Sequence, residues 1–189
     1  MPTRYRVLDE AVTREEFAEA AAALGLALTK VFEADDEHGY EEIWANSPQM
    51  ASLNYAEDPF VGLNYVAATG GEADNLLAAL SRKLNFYSPD ELIEEAHSAN
   101  VDHNDRVANL YQLGVTFPEY DKDVRDIFEN YATLAPHPKL RTAALDAIGL
   151  RSWSELRPVV ERVARDDVDV TVRDYAKALL ARWDTIPPG

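Results

Sequence analysis

Three arginines in the second half of the chain are spaced like the members of a repeat. Arg106, Arg141 and Arg173 stand 35 and 32 residues apart. Each is followed at the seventh and eighth positions by an apolar and a small residue, in the pairs Leu113-Gly114, Ile148-Gly149 and Leu180-Ala181. A period in the thirties with small residues at fixed offsets is typical of stacked helical hairpins, because each hairpin must bury its open face against the next. The pattern therefore predicts a scaffold built of helix pairs.

The first 87 residues combine short β-rich runs with two helical patterns. A capping box at Thr13 and Glu16 predicts a helix over residues 14–24. Val, Leu and aromatic residues predict strands on both sides of it, and a second helix follows Gly70-Gly71. The predicted strands cover residues 5–12, 26–33 and 40–45, with a hairpin around a turn at 57–59. The order β-α-β-β-β-β-α predicts an α+β domain over residues 1–87, with an antiparallel sheet and helices on one face.

Helical periodicity continues from Pro89 almost to the end, which predicts an all-α domain over residues 88–189. After a first helix through Leu92, helices are predicted at 103–116, 121–135, 138–148, 154–165 and 170–183. We expect 103–116 to pair with 121–135, and 138–148 to pair with 154–165. The helix at 121–135 is expected to bury a stripe that ends in Leu134. Gly149 is expected to end the helix that precedes it.

Two of these segments resemble a known family. Leu140 to Gly149 and Val172 to Ala181 are similar to the first helices of HEAT repeats, including the type shared with phycobilisome lyases. The resemblance covers about residues 100 to 183 and implies that a HEAT-like helical stack follows the predicted α+β domain. It also implies a hydrogen-bonded ladder in which an Asp stands six positions before each repeated Arg, and Asp167 has that spacing from Arg173.

The formal charge of −16 limits the possible partners, with 34 acidic side chains against 18 basic ones. Nucleic acid affinity depends on Lys and Arg neutralising phosphates, so the composition argues against nucleic acid. It favours a basic protein partner, or else serves only to keep the protein soluble. No apolar run approaches the ~18 residues of a membrane span. The first residues lack the apolar stretch of a signal peptide, and the chain has no cysteine, so we expect a cytoplasmic protein.

Motifs for catalysis are absent from the sequence. The four histidines form no metal-binding pattern, and no nucleophile elbow, phosphate loop or dinucleotide fingerprint occurs. His103 lies between Asp102 and Asp105, where a metal could bind, but capping of a helix by Asp102 explains the cluster more simply. The sequence therefore predicts a non-enzymatic protein without a cofactor or metal.

An acidic stretch in the first domain is one candidate for partner binding. It contains Asp35, Asp36, Glu37, Glu41 and Glu42, and no Lys or Arg occurs among residues 31 to 81. A solvated loop, a divalent cation site and a surface for a basic partner are the three interpretations. The spacing does not fit a calcium loop.

A second candidate lies in the helical domain. The second helix of each pair in a solenoid commonly lines the concave face, where ligands bind. The polar positions opposite the buried stripes of the second helices are Asp126, Glu129, Asn130, Thr133, Glu161, Arg162 and Arg165. These residues either contact a partner or are simply exposed to solvent.

These observations favour a protein-binding module, and a bacterial immunity protein that neutralises a basic toxin would have these properties. The lyase-like helices, together with Trp153, Tyr175 and Trp183, leave open a bilin lyase-like or other small-molecule-handling protein. Recognition of damaged DNA by a helical repeat is a third hypothesis. It depends on Arg151, Arg157, Arg162 and Arg165.

Overall fold

The structure is a computed structural model that describes residues 3–35, 38–47, 51–59, 62–151 and 153–185. The chain is an α+β protein in which a five-stranded antiparallel sheet is followed by helices. It divides into two compact units, Met1–Ser88 and Pro89–Gly189, which are called here the sheet unit and the helical unit.

The sheet unit has the predicted element order. The elements are β1 (Arg4–Val7), α1 (Arg14–Ala23), β2 (Ala27–Phe32), β3 (Tyr40–Ser47), β4 (Ala51–Asp58), β5 (Leu63–Gly70) and α2 (Ala73–Leu80). All neighbouring strands are antiparallel, in the spatial order β1-β5-β4-β3-β2, so β1 and β2 are the edges. The capping box at Thr13 is confirmed. The first strand is shorter than predicted because Asp9 starts a turn, in which its carbonyl accepts the Val12 N–H at 3.0 Å.

The two helices of the sheet unit cover one face of the sheet, as predicted. Phe17 of α1 stacks on Tyr55 of β4, with 4.9 Å between ring centroids, and meets Trp44 of β3 edge to face. Leu77 and Leu80 of α2 belong to the same buried cluster. Because apolar burial is the main favourable term in folding, this layer is what holds the sheet unit together.

Gly39 allows β3 and β4 to approach each other, and this leads to a testable prediction. A Cβ at position 39 would lie 2.0 Å from the carbonyl oxygen of Glu57 and 2.9 Å from Cδ of Pro59. We expect Gly39→Ala to lower the free energy of unfolding by about 1–3 kcal/mol, because backbone must shift to admit the methyl group. Gly71→Ala is the matched control, since no atom lies within 4 Å of its added Cβ. Urea unfolding measures both, and equal stability of the two variants would contradict the prediction.

The helical unit consists of hairpins joined by connections of three to five residues. Its helices are α3 (Pro89–His97), α4 (His103–Thr116), α5 (Lys122–Leu134), α6 (Pro138–Arg151), α7 (Arg157–Asp166) and α8 (Val170–Thr185). The pairs that pack most closely in sequence order are α3 with α4, α5 with α6, and α7 with α8. The predicted pairing of α4 with α5 and of α6 with α7 is therefore wrong by one helix.

Successive hairpins stack in register. The helices α4, α6 and α8 pack in one row, and α3, α5 and α7 pack in the other. Hydrogen bonds join residues 35 positions apart, in the pairs Tyr111–Asp146, Tyr131–Ala96, Lys139–Asn104 and Trp153–Pro118. The second hairpin thus lies over the first with equivalent residues facing each other, which is how a structural repeat buries a continuous core.

The repeated arginines join the two helices of each hairpin, because each binds the carbonyl end of the preceding helix. Arg106 donates to the carbonyls of Glu95 and Ser98, Arg141 to those of Ala135 and Pro136, and Arg173 to that of Asp167. These carbonyls lie at or beyond a helix terminus, where intrahelical partners are lacking. The Asp167 carboxylate also accepts two bonds from Arg141, at 2.7 and 2.9 Å, so Asp167 links two repeated arginines.

The repeated glycines mark close contacts between helices. A Cβ on Gly114 of α4 would lie 3.1 Å from Cα of Ala147 on α6, and one on Gly149 of α6 would lie 3.0 Å from Cδ1 of Leu179 on α8. Small residues are needed where helices cross at short distance. The prediction that Gly149 ends a helix is wrong, because α6 continues to Arg151 and Gly149 makes an interhelical contact within it.

Candidate functional site

The helical unit contains a groove between α5 and α7, which pack side by side. Its volume is about 440 Å³, within the usual range for ligand pockets. The residues that line it are Glu129, Asn130, Thr133, Leu134, Arg162, Val163, Asp166 and Asp167. We call this the α5–α7 groove.

The walls of the α5–α7 groove are built from equivalent positions of two repeats. Each lining residue of α5 has a counterpart 33 residues later, in the pairs Glu129/Arg162, Asn130/Val163, Thr133/Asp166 and Leu134/Asp167. On each helix the lining positions are i, i+1, i+4 and i+5, which share one face of a helix. The repeat therefore creates the groove, and the side chains that differ between the repeats give it its chemistry.

One end of the groove is bridged by an ion pair. Arg162 on α7 donates to Glu129 on α5 at 2.7 Å, and Arg125 lies 2.5 Å from the other oxygen of Glu129. The Arg162 side chain is 48% exposed, so the bridge contributes little to stability. The Arg162–Glu129 pair spans the space between α5 and α7 at this end, so a ligand in the groove would lie beyond it, toward Leu134.

The other end of the groove is acidic and apolar. Asp166 and Asp167 lie there, and the Arg165 guanidinium, by hydrogen bonding to Asp166, lowers the pKa of that carboxyl below its ordinary value. Leu134, the last residue of α5, is 74% exposed. The last turn of α5 carries no basic residue of its own, and Arg141 of α6 supplies the cation that binds the carbonyls at this end of the helix.

Four of the predicted helical-unit residues line the groove and three do not. Glu129, Asn130, Thr133 and Arg162 are in its wall. The other three are engaged with neighbours on their own helices: Asp126 with Lys122 and Arg125, Glu161 with Arg157, and Arg165 with Asp166. The expectation that Leu134 is buried is wrong, because this end of α5 borders the open groove and Leu134 lines it.

The described residues of the acidic stretch of the sheet unit have different surroundings. Asp36 and Glu37 lie outside the described residues. Asp35 accepts the backbone N–H of His38 at 2.8 Å, and Glu41 lines a smaller cavity of about 180 Å³. Glu42 is only 5% exposed and accepts hydrogen bonds from Tyr40 and Trp44, so the expectation that Glu42 meets a partner is wrong.

The arginines invoked for DNA binding are largely neutralised. The side chain of Arg151 lies outside the described residues. Arg157 bonds to Glu161 and Asp184, while Arg162 and Arg165 bond to Glu129 and Asp166. Phosphate binding draws its free energy from unneutralised cationic side chains, so this face gives no support to DNA binding.

The structure also addresses the histidine cluster. Asp102 caps α4 by accepting the Asn104 N–H at 2.8 Å, so the predicted cap is confirmed. The His103 ring packs edge to face on His137. Within the described ranges, no group of three or more His, Asp or Glu side chains could hold a metal ion. Likewise, none of the helices described is long and apolar enough to cross a membrane.

Sequence reasoning missed four groove residues, Leu134, Val163, Asp166 and Asp167. The 33-residue spacing could have found Val163 and Asp166, since it pairs them with the predicted Asn130 and Thr133. No model of a protein family, no curated protein and no solved structure matches this chain. The HEAT-like character of the helical unit therefore stays a prediction.

Proposed function

We propose that this chain is a non-enzymatic, cytoplasmic protein-binding module whose HEAT-like helical unit binds a basic segment of a protein partner in the α5–α7 groove. The observation that carries the proposal is the exposed Leu134 near the partly exposed Asp166 carboxylate in a groove built by the repeat. An exposed apolar side chain framed by polar ones is typical of an interaction site.

The side chains of the groove suit a peptide. Leu134 offers an apolar contact, and the neighbouring Asn130 offers an amide that can both donate and accept. Asn130 is exposed, one turn before Leu134 on the same face of α5. A peptide that places one apolar side chain on Leu134 can therefore also meet this amide with its backbone.

The charges of the groove favour Lys or Arg in that peptide. The Asp166 carboxylate, which is 54% exposed and pairs with the exposed Arg165, presents its charge at this end. The Asp167 side chain, in contrast, is buried and neutralised by Arg141. The formal charge of −16 adds long-range attraction for a basic partner. An immunity protein that neutralises a basic toxin is one kind of protein within this class. Among the described lining residues of the groove none is aromatic, so a bilin-binding function has no specific support there.

Selection of a displayed random peptide library on the full-length protein tests this function. We expect enriched peptides to combine an apolar residue with Lys or Arg, and their binding to weaken as salt rises. Leu134→Ser should raise the Kd of a selected peptide at least about tenfold, because it removes the apolar contact without adding charge. Asp166→Asn should raise it about threefold to tenfold at low salt. Calorimetry measures both effects.

Leu150→Ser is the matched control, since Leu150 is also exposed on a helix but does not line the groove. It should leave the Kd unchanged. Selected peptides without basic residues, or equal affinity of wild type and Leu134→Ser, would contradict the proposal.

A further inference from the structure

The edge strand β2 of the sheet unit is exposed along its whole length. Every residue of Ala27–Phe32 is exposed, and its three large apolar side chains, Leu28, Val31 and Phe32, are between 37% and 46% exposed. Within the described residues β2 pairs only with β3. An edge strand presents unpaired N–H and C=O groups, and apolar side chains beside them favour pairing with another strand.

Both faces of the sheet are apolar at this edge. Leu28 lies opposite Trp44 and Val31 opposite Glu42, and those two residues of β3 are buried on the helix-covered face. Directly opposed residues of antiparallel strands point to the same face. Phe32, which alternates with Val31 along the strand, therefore lies on the other face. A strand added to β2 would find apolar contacts on either side of its backbone.

A β-bulge and a lysine, which commonly protect the edges of sheets, are both present in β2, but neither covers the strand. The register shifts between Leu28 and Lys30, which marks a bulge at Thr29. The Thr29 hydroxyl donates to the Ile43 carbonyl at 2.9 Å, so it faces the sheet. The Lys30 ammonium lies 4.0 Å from the centroid of the Phe32 ring, so this lysine folds along its own strand.

We propose that β2 takes an extended segment of a protein partner as a sixth strand of the sheet. The segment carries apolar residues at alternate positions and Lys or Arg near its ends. Charge favours this occupant, because Glu33 and Asp35 follow the strand and residues 31 to 81 contain no Lys or Arg. A second copy of the chain would bring two chains of charge −16 together. This edge lies in the sheet unit, so the inference does not depend on the α5–α7 groove.

The probe is a synthetic nine-residue peptide that alternates Val and Thr and has Lys at both ends. We expect it to protect the backbone amides of Ala27–Phe32 from hydrogen exchange in the ¹⁵N-labelled full chain. The same peptide with Glu at both ends should bind at least about tenfold more weakly. Leu28→Ser combined with Phe32→Ser should weaken binding of the Lys peptide about tenfold or more. The matched control Tyr120→Ser, at an exposed aromatic of the helical unit, should not change the Kd.

Three results would overturn the inference. The first is amide protection by the Lys peptide that falls outside β2, and the second is equal binding of the Lys and Glu peptides. The third is a concentration-dependent dimer in analytical ultracentrifugation that Phe32→Ser abolishes, which would assign the edge to a second copy. The exchange measurement uses the wild-type chain, so it decides the matter even if the double variant does not fold.

Discussion

Arg141→Met is expected to lower the free energy of unfolding of the helical unit by about 3–5 kcal/mol. The Arg141 side chain is 6% exposed, and the Asp167 carboxylate that it binds is 5% exposed. Methionine fills a similar volume but leaves that carboxylate without its buried cation. It also leaves the carbonyls of Ala135 and Pro136, at the end of α5, without their donor. Urea unfolding measures the loss, and hydrogen exchange locates it in α5 to α8.

The matched control for this prediction is an exposed ion pair of the same unit. Arg162→Met removes the bridge to Glu129, and exposed pairs contribute at most about 1 kcal/mol. Asp167→Asn, alone and combined with Arg141→Met, completes a double-mutant cycle. Because the two residues act as one pair, we expect the two losses not to add. If Arg141→Met costs no more than Arg162→Met, the buried pair does not stabilise the stack.

Arg141→Met should also change how the free energy of unfolding depends on pH. Burial works against ionisation of Asp167, but hydrogen bonds from Arg141 and from the Asp169 N–H outweigh it and hold the Asp167 pKa below 3.8. A carboxyl with a depressed folded-state pKa contributes stability above its unfolded pKa, and this contribution is lost as pH falls through the folded pKa. The difference between wild type and Arg141→Met should therefore be constant above about pH 5 and shrink below about pH 4.

Periodicity predicted the helical stack because a repeat imposes the same contacts at each turn of the solenoid. The small residues that it identified at Gly114 and Gly149 lie at close contacts between helices. It could not show that Gly149 lies within a helix, since glycine is suited both to helix ends and to helix crossings. Asn109 occupies a small apolar position of the repeat, and its amide donates to the Leu92 carbonyl at 3.0 Å. The hydrogen bond to α3 explains why a polar residue can stand at this position of α4.

The candidate groove was predicted in part for a similar reason. Helical spacing placed Glu129 and Asn130 on the face away from the buried stripe, and both line the groove. The same spacing placed Leu134 in the core, because periodicity records which face of a helix a residue is on and not where the packing partner ends. In the sheet unit, the alternation of residues along a strand likewise did not predict that Glu42, one residue of the acidic stretch, is buried.

Glu42→Ala is expected to lower the free energy of unfolding by about 3–5 kcal/mol. The two oxygens of the Glu42 carboxylate accept the Tyr40 hydroxyl at 2.8 Å and the Trp44 indole N–H at 2.7 Å. Hydrogen bonds to a charged group contribute about 1.5–3 kcal/mol each, and the buried Trp44 donor would be left without a partner. Burial and the bond to Glu42 also raise the pKa of Tyr40.

Glu41→Gln is the control, since Glu41 belongs to the same acidic run but is only half-buried. It should change stability by less than about 0.5 kcal/mol. Urea unfolding followed by Trp44 fluorescence reports on the sheet unit, provided that Trp153 and Trp183 are replaced by Phe in every protein compared. A stable Glu42→Ala variant that has lost affinity for a basic partner would instead return Glu42 to the binding surface. If Glu42→Ala is destabilised, Glu42 stabilises the core of the sheet unit. Acidic residues that are neighbours in sequence then have different roles, and their burial in the structure distinguishes those roles.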